Sequence, residues 1–321
     1  MEPQLKSAAI SYSEATSICG YVAIAVGINK KAMKKGGDPD PNPSLDAYKD
    51  ICADPTYALL LNPAFLNKYR ILYNIQIPEK DKFLNIWSYF GFIAQHKMTK
   101  NYVIAIRGTQ NQFESLADED IIPVPFREYN NQAQVPQGFY KIFETGRIVS
   151  LPEDANPITP VSLSKLATDL GKYLSGAGQQ RVTVTGHSLG AAVATYFAAV
   201  ATLTLGKRLN LSLCTFASPM TGDKKFTSSA SSTIAECVRI YNAEDKVPNL
   251  PVWLVDNNNI YTHVTGGFEI DSTGDHNVNH DPNTGFGCAH QLPVYMYLLE
   301  KLDGNYNPNI ISAGDDARCR V

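Results

Sequence analysis

The sequence predicts an α/β fold with a mostly parallel central sheet flanked by helices, preceded by a helical N-terminal segment. Strand-like and helix-like runs alternate: RVTVTG (181–186) precedes the apolar helix AAVATYFAAVATLTLG (191–206), and the strands LSLCTFA (211–217) and CVRIYN (237–242) follow. This alternation is typical of βαβ units and a parallel sheet. We expect a single domain over 1–321, with helices and loops over about 1–80 and a core over about 83–310.

Composition excludes several functions. The chain has 28 Lys and Arg against 31 Asp and Glu, a net charge of −3, so it lacks the basic excess of a nucleic-acid-binding protein. With 44% apolar residues it is too apolar for disorder, and no uninterrupted apolar stretch is long enough for a transmembrane segment. The first apolar run, ICGYVAIAVGI (18–28), lacks the basic flank of a secretory signal, so we expect a buried or surface-packed helix there, with a basic helix that touches a membrane as the alternative.

The clearest motif is GHSLG, residues 186–190. It fits the G-x-S-x-G nucleophile elbow, a sharp turn from a strand into a helix, and it lies between a predicted strand and a predicted helix. Gly186 and Gly190 would let neighbouring backbone approach closely, and His187 and Ser188 complete the turn. We therefore predict that Ser188 is a nucleophile.

A serine hydroxyl needs a base, and the base needs an orienting carboxylate. Asp245 follows the strand CVRIYN and is the preferred acid, with Asp223 as the alternative because it also follows a strand. His290 lies at a loop-to-helix junction and is the preferred base. The other downstream histidines are His263, in a strand-like run, and His276 and His280, whose spacing in DHNVNHD would permit a metal but whose Gly/Asn/Asp surroundings favour a solvated loop.

The negative charge that develops on the substrate oxygen requires preorganised donors. One is the backbone N–H of Leu189, which follows the nucleophile. Thr109 follows the strand-like run NYVIAIR and could supply both a backbone amide and a hydroxyl. Thr109 and Leu189 are therefore the predicted oxyanion hole.

Together these motifs resemble the fungal-type, class 3 lipases of the α/β-hydrolase fold. The matching blocks follow the order of that family over about 190 residues. They are IRGT (106–109), QGFY (137–140), VTGHSLG (184–190), TFASPMTGD (215–223), RIYNAEDKVPNLP (239–251) and HQLPVYMYLL (290–299).

The resemblance implies a serine carboxylester hydrolase that cleaves acylglycerols or related lipid esters, and a triad of Ser188, Asp245 and His290. Phospholipase A1, feruloyl esterase and polyester hydrolase activities are alternatives on the same triad. A catalytically silent lipase-like module that binds a lipid or a protein is the alternative from another class. We expect no cofactor and no metal, since the six cysteines form no CxxC pair and no zinc spacing, and a lipid–water interface as the place where the substrate is met.

The segment FESLADEDIIPVPF (113–126) follows Thr109, where fungal-type lipases carry a lid. Its apolar residues could simply pack into the core. The functional alternative is a lid formed by Phe113, Leu116, Ile121 and Ile122, which would cover the Ser188 pocket in water and move onto a lipid surface.

Overall fold

One twisted sheet organises the molecule. The computed structural model describes residues 10–34, 40–78, 86–109, 120–130, 132–206, 209–281, 287–315 and 317–321. Over these residues, nine strands form the sheet in the spatial order β15-β11-β9-β8-β3-β2-β1-β6-β7. They are β1 (Tyr69–Pro78), β2 (Trp87–His96), β3 (Tyr102–Ile106), β6 (Arg147–Ser150), β7 (Val161–Ser162), β8 (Val182–His187), β9 (Leu211–Phe216), β11 (Glu236–Asn242) and β15 (Gly267–Ile270).

The sheet has two halves of different strand direction. Strands β3, β8, β9, β11 and β15 run parallel, whereas β2, β1, β6 and β7 continue the sheet antiparallel. The parallel strands β3 and β9 are buried along their whole length, which explains the continuous apolar sequence of β3 and the absence of charged residues in β9. This architecture confirms the predicted α/β fold with its central, largely parallel sheet.

Three small ribbons lie outside the main sheet. Each pairs two short antiparallel strands. They are β4 (Pro123–Pro125) with β5 (Gln134–Pro136), β10 (Gly222–Asp223) with β14 (Tyr261–Thr262), and β12 (Leu254–Val255) with β13 (Asn258–Asn259).

Helices cover both faces of the sheet. On one face α1 packs against α9 and against β2, β3 and β8, and on the other face α7 packs against α4, α5, β8 and β9. Helix α7 is buried on all sides over its first 14 residues, so its lack of a polar face follows from its central position. The helices are α1 (Tyr12–Lys34), α2 (Leu45–Cys52), α3 (Phe65–Lys68), α4 (Gln137–Thr145), α5 (Leu163–Thr168), α6 (Leu170–Tyr173), α7 (Leu189–Leu205), α8 (Lys224–Thr233) and α9 (Leu292–Leu302).

The N-terminal segment differs from the prediction in one respect. Helix α1 contains the predicted apolar helix over 18–28, and α2 and α3 follow it, but residues 69–78 form strand β1 instead of helix or loop. The strand is difficult to recognise in the run YRILYNIQIP, because the polar side chains of Asn74 and Gln76 lie among the apolar ones and are themselves buried. The extent of the single domain remains a prediction.

Candidate active site

Ser188 lies at the sharp turn between β8 and α7. Its backbone angles are φ 56° and ψ −128°, a left-handed conformation that costs a non-glycine residue about 1–3 kcal/mol. The Ser188 N–H donates to the carbonyl of Phe216 at 3.0 Å, which ties the turn to the neighbouring strand β9. The surrounding structure therefore holds Ser188 in a strained conformation.

The two glycines of the elbow are required by close backbone contacts. A Cβ added to Gly186 would lie 2.3 Å from the carbonyl oxygen of Gly190, and one added to Gly190 would lie 2.4 Å from the carbonyl oxygen of Arg107. Real Cβ atoms do not approach backbone oxygens this closely. The G-x-S-x-G spacing is thus a packing requirement of this turn.

Ser188, His290 and Asp245 form a continuous hydrogen-bonded chain. His290 Nε2 lies 3.0 Å from Ser188 Oγ, and His290 Nδ1 lies 2.8 Å from Asp245 Oδ2. All three residues are buried. Ser188 follows β8 and Asp245 follows β11, so the parallel strands bring both to the same edge of the sheet.

The carboxylate of Asp245 is held from several directions. Its Oδ1 accepts the Val247 N–H at 2.9 Å, and its Oδ2 accepts the Tyr295 hydroxyl at 2.7 Å in addition to His290. Tyr295 in turn accepts the Asn242 N–H at 3.0 Å, and burial raises the pKa of its phenol well above the usual value. Sequence reasoning missed Tyr295, although a tyrosine in so apolar a helix must find a partner for its hydroxyl.

His187 supports the backbone of His290. Its Nε2 lies 2.9 Å from the His290 carbonyl oxygen, and the two ring centroids are 4.7 Å apart. Burial and the neighbouring His290 hold the pKa of His187 well below its usual value. The ring is therefore neutral, and its Nε2–H is the donor to the carbonyl.

Thr109 lies close to the elbow. A Cβ added to the preceding residue, Gly108, would lie 3.0 Å from both Ser188 Cβ and the His187 carbonyl oxygen. The Thr109 hydroxyl is buried and has no hydrogen-bond partner in the described part of the chain. Leu189 is the first residue of α7, where backbone amides have no partner within the helix. Donors from two separate elements thus lie near Ser188.

The alternative acid and bases have other partners. Asp223 caps α8 by accepting the Phe226 N–H at 2.8 Å. His263 Nε2 donates to the Pro248 carbonyl at 2.7 Å, and His280 Nδ1 lies 2.8 Å from Glu244 Oε2. His276 is exposed.

The predicted lid is only partly within the described residues. Phe113 and Leu116 lie outside them. Ile121 is partly buried, and its carbonyl accepts the Tyr261 hydroxyl at 2.5 Å, whereas Ile122 is 50% exposed. The lid stays a prediction.

Cysteines and metal ligands complete the description. Cys288 and Cys319 form a disulfide, and the buried Cys214 is a free thiol. Over the described ranges, no group of three or more His, Cys, Asp or Glu side chains could hold a metal ion. No helix in those ranges is long and apolar enough to cross a membrane.

Comparison with known families agrees with the resemblance drawn from the motifs. Residues 103–255 match the family model described as Lipase (class 3). Two curated relatives from Arabidopsis thaliana are named phospholipase A1-Igamma3, chloroplastic, and phospholipase A1-Igamma2, chloroplastic. Each is 24% identical, over 72% and 76% of this chain respectively. The alignments cover 51% and 53% of those proteins, so the chain spans about half the length of the curated relatives it matches.

Solved structures of lipases share the fold. The lipase from Rhizopus microsporus var. chinensis superposes with a TM-score of 0.52 and 20% identity, covering 84% of this chain and 77% of that one. M37 lipase superposes with a TM-score of 0.56 and 17% identity, covering 94% of each chain. The LIP2 lipase of Yarrowia lipolytica gives 0.55 and 16%, with 85% and 82% covered. The predicted resemblance to class 3 lipases of the α/β-hydrolase fold is confirmed.

Proposed function

We propose that this chain, whose residues 103–255 belong to the class 3 lipase family, is a serine hydrolase that cleaves the carboxylic esters of lipids. The observation that carries the proposal is the buried chain of hydrogen bonds from Ser188 Oγ through His290 to Asp245. A serine held at a strained turn and bonded to an oriented imidazole is the arrangement that nucleophilic acyl transfer requires.

The first half of the reaction forms an acyl-enzyme. His290 Nε2 takes the proton of Ser188 Oγ while that oxygen attacks the ester carbonyl carbon. Asp245 stabilises the imidazolium that results, and its bonds to Val247 and Tyr295 keep it in place. The tetrahedral intermediate then collapses, and His290 passes the proton to the departing alcohol oxygen.

Water completes the cycle. His290 takes a proton from a water molecule, whose oxygen attacks the acyl carbon and forms a second tetrahedral intermediate. Collapse of this intermediate releases the carboxylic acid and returns the proton to Ser188 Oγ. In both halves the backbone amide of Leu189 and the amide and hydroxyl of Thr109 bind the oxyanion. The Thr109 hydroxyl supports this role, because it has no hydrogen-bond partner among the described residues and can donate to the substrate.

Acylglycerols and related lipid esters are the proposed substrates. The curated relatives named phospholipase A1 favour a glycerophospholipid ester as a second candidate. A feruloyl ester or a polyester would use the same triad. A silent lipid-binding or protein-binding module would have no need of a bonded Ser188, His290 and Asp245.

Covalent labelling tests the proposal. A p-nitrophenyl phosphonate should label Ser188 with release of one nitrophenolate per chain, and Ser188→Ala should abolish labelling and lower kcat by about 10⁵ to 10⁶. Ser212→Ala is a matched control, because Ser212 is a buried serine of β9 that bonds to Thr183. Labelling of Ser188→Ala at the wild-type level would contradict the proposal.

The substrate class is tested separately. A chain-length series of p-nitrophenyl esters, a triacylglycerol emulsion and a phosphatidylcholine vesicle should be compared under the same conditions. Faster release of fatty acid from the emulsion supports acylglycerols. Preferred release from the sn-1 position of phosphatidylcholine would support the second candidate.

A further inference from the structure

Arg107 occupies an unusual position at the end of β3, next to Gly108. Its side chain is buried, and its planar guanidinium donates hydrogen bonds in three directions. Nε donates to the Tyr89 carbonyl at 2.8 Å, Nη1 to the Gly108 carbonyl at 2.7 Å, and Nη2 to Asn29 Oδ1 at 3.3 Å. The guanidinium carbon also lies 5.3 Å from the centre of the Phe90 ring. Arg107 therefore joins β2, the end of β3 and helix α1.

The contact with Gly108 determines the direction of the Thr109 amide. The Gly108 carbonyl and the Thr109 N–H belong to one planar trans peptide, so they point in opposite directions. Fixing the carbonyl on Arg107 thus fixes the direction of the N–H. Rotation of this peptide would break a short hydrogen bond to a charged donor.

Position 108 is tightly packed against the elbow, which favours glycine there. An added Cβ would meet Ser188 Cβ and the His187 carbonyl at 3.0 Å. Glycine is also the residue whose backbone rotates most freely. Glycine by itself would therefore leave the direction of one oxyanion donor poorly fixed, unless another contact holds the peptide.

We propose that Arg107 is a positioning residue of the oxyanion hole, anchored by Asn29 of α1 and acting through the Gly108–Thr109 peptide. The inference rests on the proposed function. Asn29 is itself buried and lies in a helix that precedes the class 3 region. The N-terminal helix thus supplies part of the support for a catalytic element of that region.

Replacement of Arg107 by lysine tests the link. Lysine keeps the charge but lacks the planar fork, so it cannot serve three acceptors in these directions. For Arg107→Lys, kcat per phosphonate-titrated site on a soluble p-nitrophenyl ester should fall by about 10- to 100-fold. The KM should stay within about twofold, because only transition-state binding is lost. The Ki of a trifluoromethyl ketone, which forms a tetrahedral adduct, should rise by the same factor as kcat/KM falls.

Variants of Asn29 test the anchor without touching Arg107. Asn29→Leu should lower kcat per titrated site by roughly threefold to tenfold. Asn29→Asp keeps an acceptor for Arg107, so its kcat per titrated site should equal that of the wild type. Ile24→Val, a matched change at a buried position of α1, should lower the melting temperature slightly and leave kcat per site unchanged.

The outcomes separate the inference from the proposed function. A labelled wild type together with unchanged kcat per site in Arg107→Lys and Asn29→Leu would overturn the inference alone. Fewer titratable sites with normal kcat per site would also overturn it, because that pattern indicates a purely structural role. If Arg107→Lys fails to fold, the two Asn29 variants decide. A wild type that is not labelled at Ser188 would overturn the proposed function and this inference with it.

Discussion

The two halves of the sheet both bury polar side chains, but they do so with different results. In the antiparallel half, Asn74 and Gln76 of β1 face inward and bond to the loop that precedes α2. In the parallel half, Ser188 and His290 are buried just as completely, and they bond to each other. The two halves differ in the groups to which their buried polar side chains bond.

In the antiparallel half, the buried polar side chains of β1 bond to helix α2 and to the loop that precedes it. Tyr48 donates to Asn74 Oδ1 at 2.5 Å, and Asn74 Nδ2 donates to the Pro43 carbonyl at 2.8 Å and to Asn42 Oδ1 at 2.7 Å. Gln76 donates to the Pro41 carbonyl at 2.8 Å. These bonds attach α2 and the loop 40–44 to β1, so the network stabilises the fold.

The parallel network includes a strained residue and a hydroxyl without a partner. Ser188 has a positive φ, and the buried Thr109 hydroxyl beside it bonds to no described residue. Thr185 of β8 likewise has a buried hydroxyl with no partner in the described ranges, so this feature alone does not indicate a site. Strain, an oriented imidazole and a free donor at one sheet edge together distinguish the parallel half.

After the loss of Ser188 itself, the largest expected effect is on Asp245. Asp245→Asn should keep the geometry but favour the wrong imidazole tautomer, lowering kcat by about 10⁴. Asp223→Asn is the control, because asparagine can still cap α8 and kcat should stay within a few-fold. Steady-state kinetics on a soluble ester measure both, and the opposite ranking would mean that Asp245 is not the acid.

Thr109 should have the next largest effect. Thr109→Val keeps the shape and removes the hydroxyl donor, so kcat should fall by about 10² to 10³ with little change in KM. Thr185→Val removes an equally buried hydroxyl from β8 and should leave kcat unchanged. Equal kcat for the two variants would restrict the oxyanion hole to backbone amides.

A change in the antiparallel half should affect stability instead. Asn74→Leu removes the donor to the Pro43 carbonyl and leaves the Tyr48 hydroxyl with Tyr89 alone, which should lower the free energy of unfolding by about 1–3 kcal/mol. Urea denaturation measures this loss, and kcat per titrated site should not change. Asn67→Leu, at an exposed position of α3, should shift stability by less than about 0.5 kcal/mol. A loss of kcat in Asn74→Leu would contradict the view that the antiparallel half affects stability and not catalysis.

The last expected effect is a pH dependence of stability. Burial lowers the pKa of His263 to about 4, against about 6.5 in an unfolded chain. Between these values the unfolded state binds more protons, so the free energy of unfolding falls as the pH falls. His263→Gln keeps a donor for the Pro248 carbonyl and should reduce the slope by about 1 kcal/mol per pH unit. The free energy of unfolding should be measured by urea denaturation between pH 6.5 and pH 4. Identical pH slopes for the wild type and His263→Gln would contradict the lowered pKa of His263.

Local sequence patterns were sufficient to predict the elements whose conformation depends mainly on residues close by in the sequence. The elbow at GHSLG follows from steric contacts within five residues and with the adjacent strand, so Gly186, Ser188 and Gly190 could be placed from their spacing. Strand β3 and helix α7 could be placed because burial on both sides leaves them no charged or polar face. Strand β1 could not, because its inward polar residues depend on a loop that only the fold brings near.

Choices between distant residues were decided by the tertiary structure. Asp223 and Asp245 both follow strands, and only the packing of α9 brings His290 beside Asp245 instead of Asp223. Tyr295, the anchor from Asn29 to Arg107 and the Cys288–Cys319 disulfide likewise join residues far apart in the chain. Sequence spacing carries no record of such contacts, because they arise only when helices from both ends of the chain pack on one sheet.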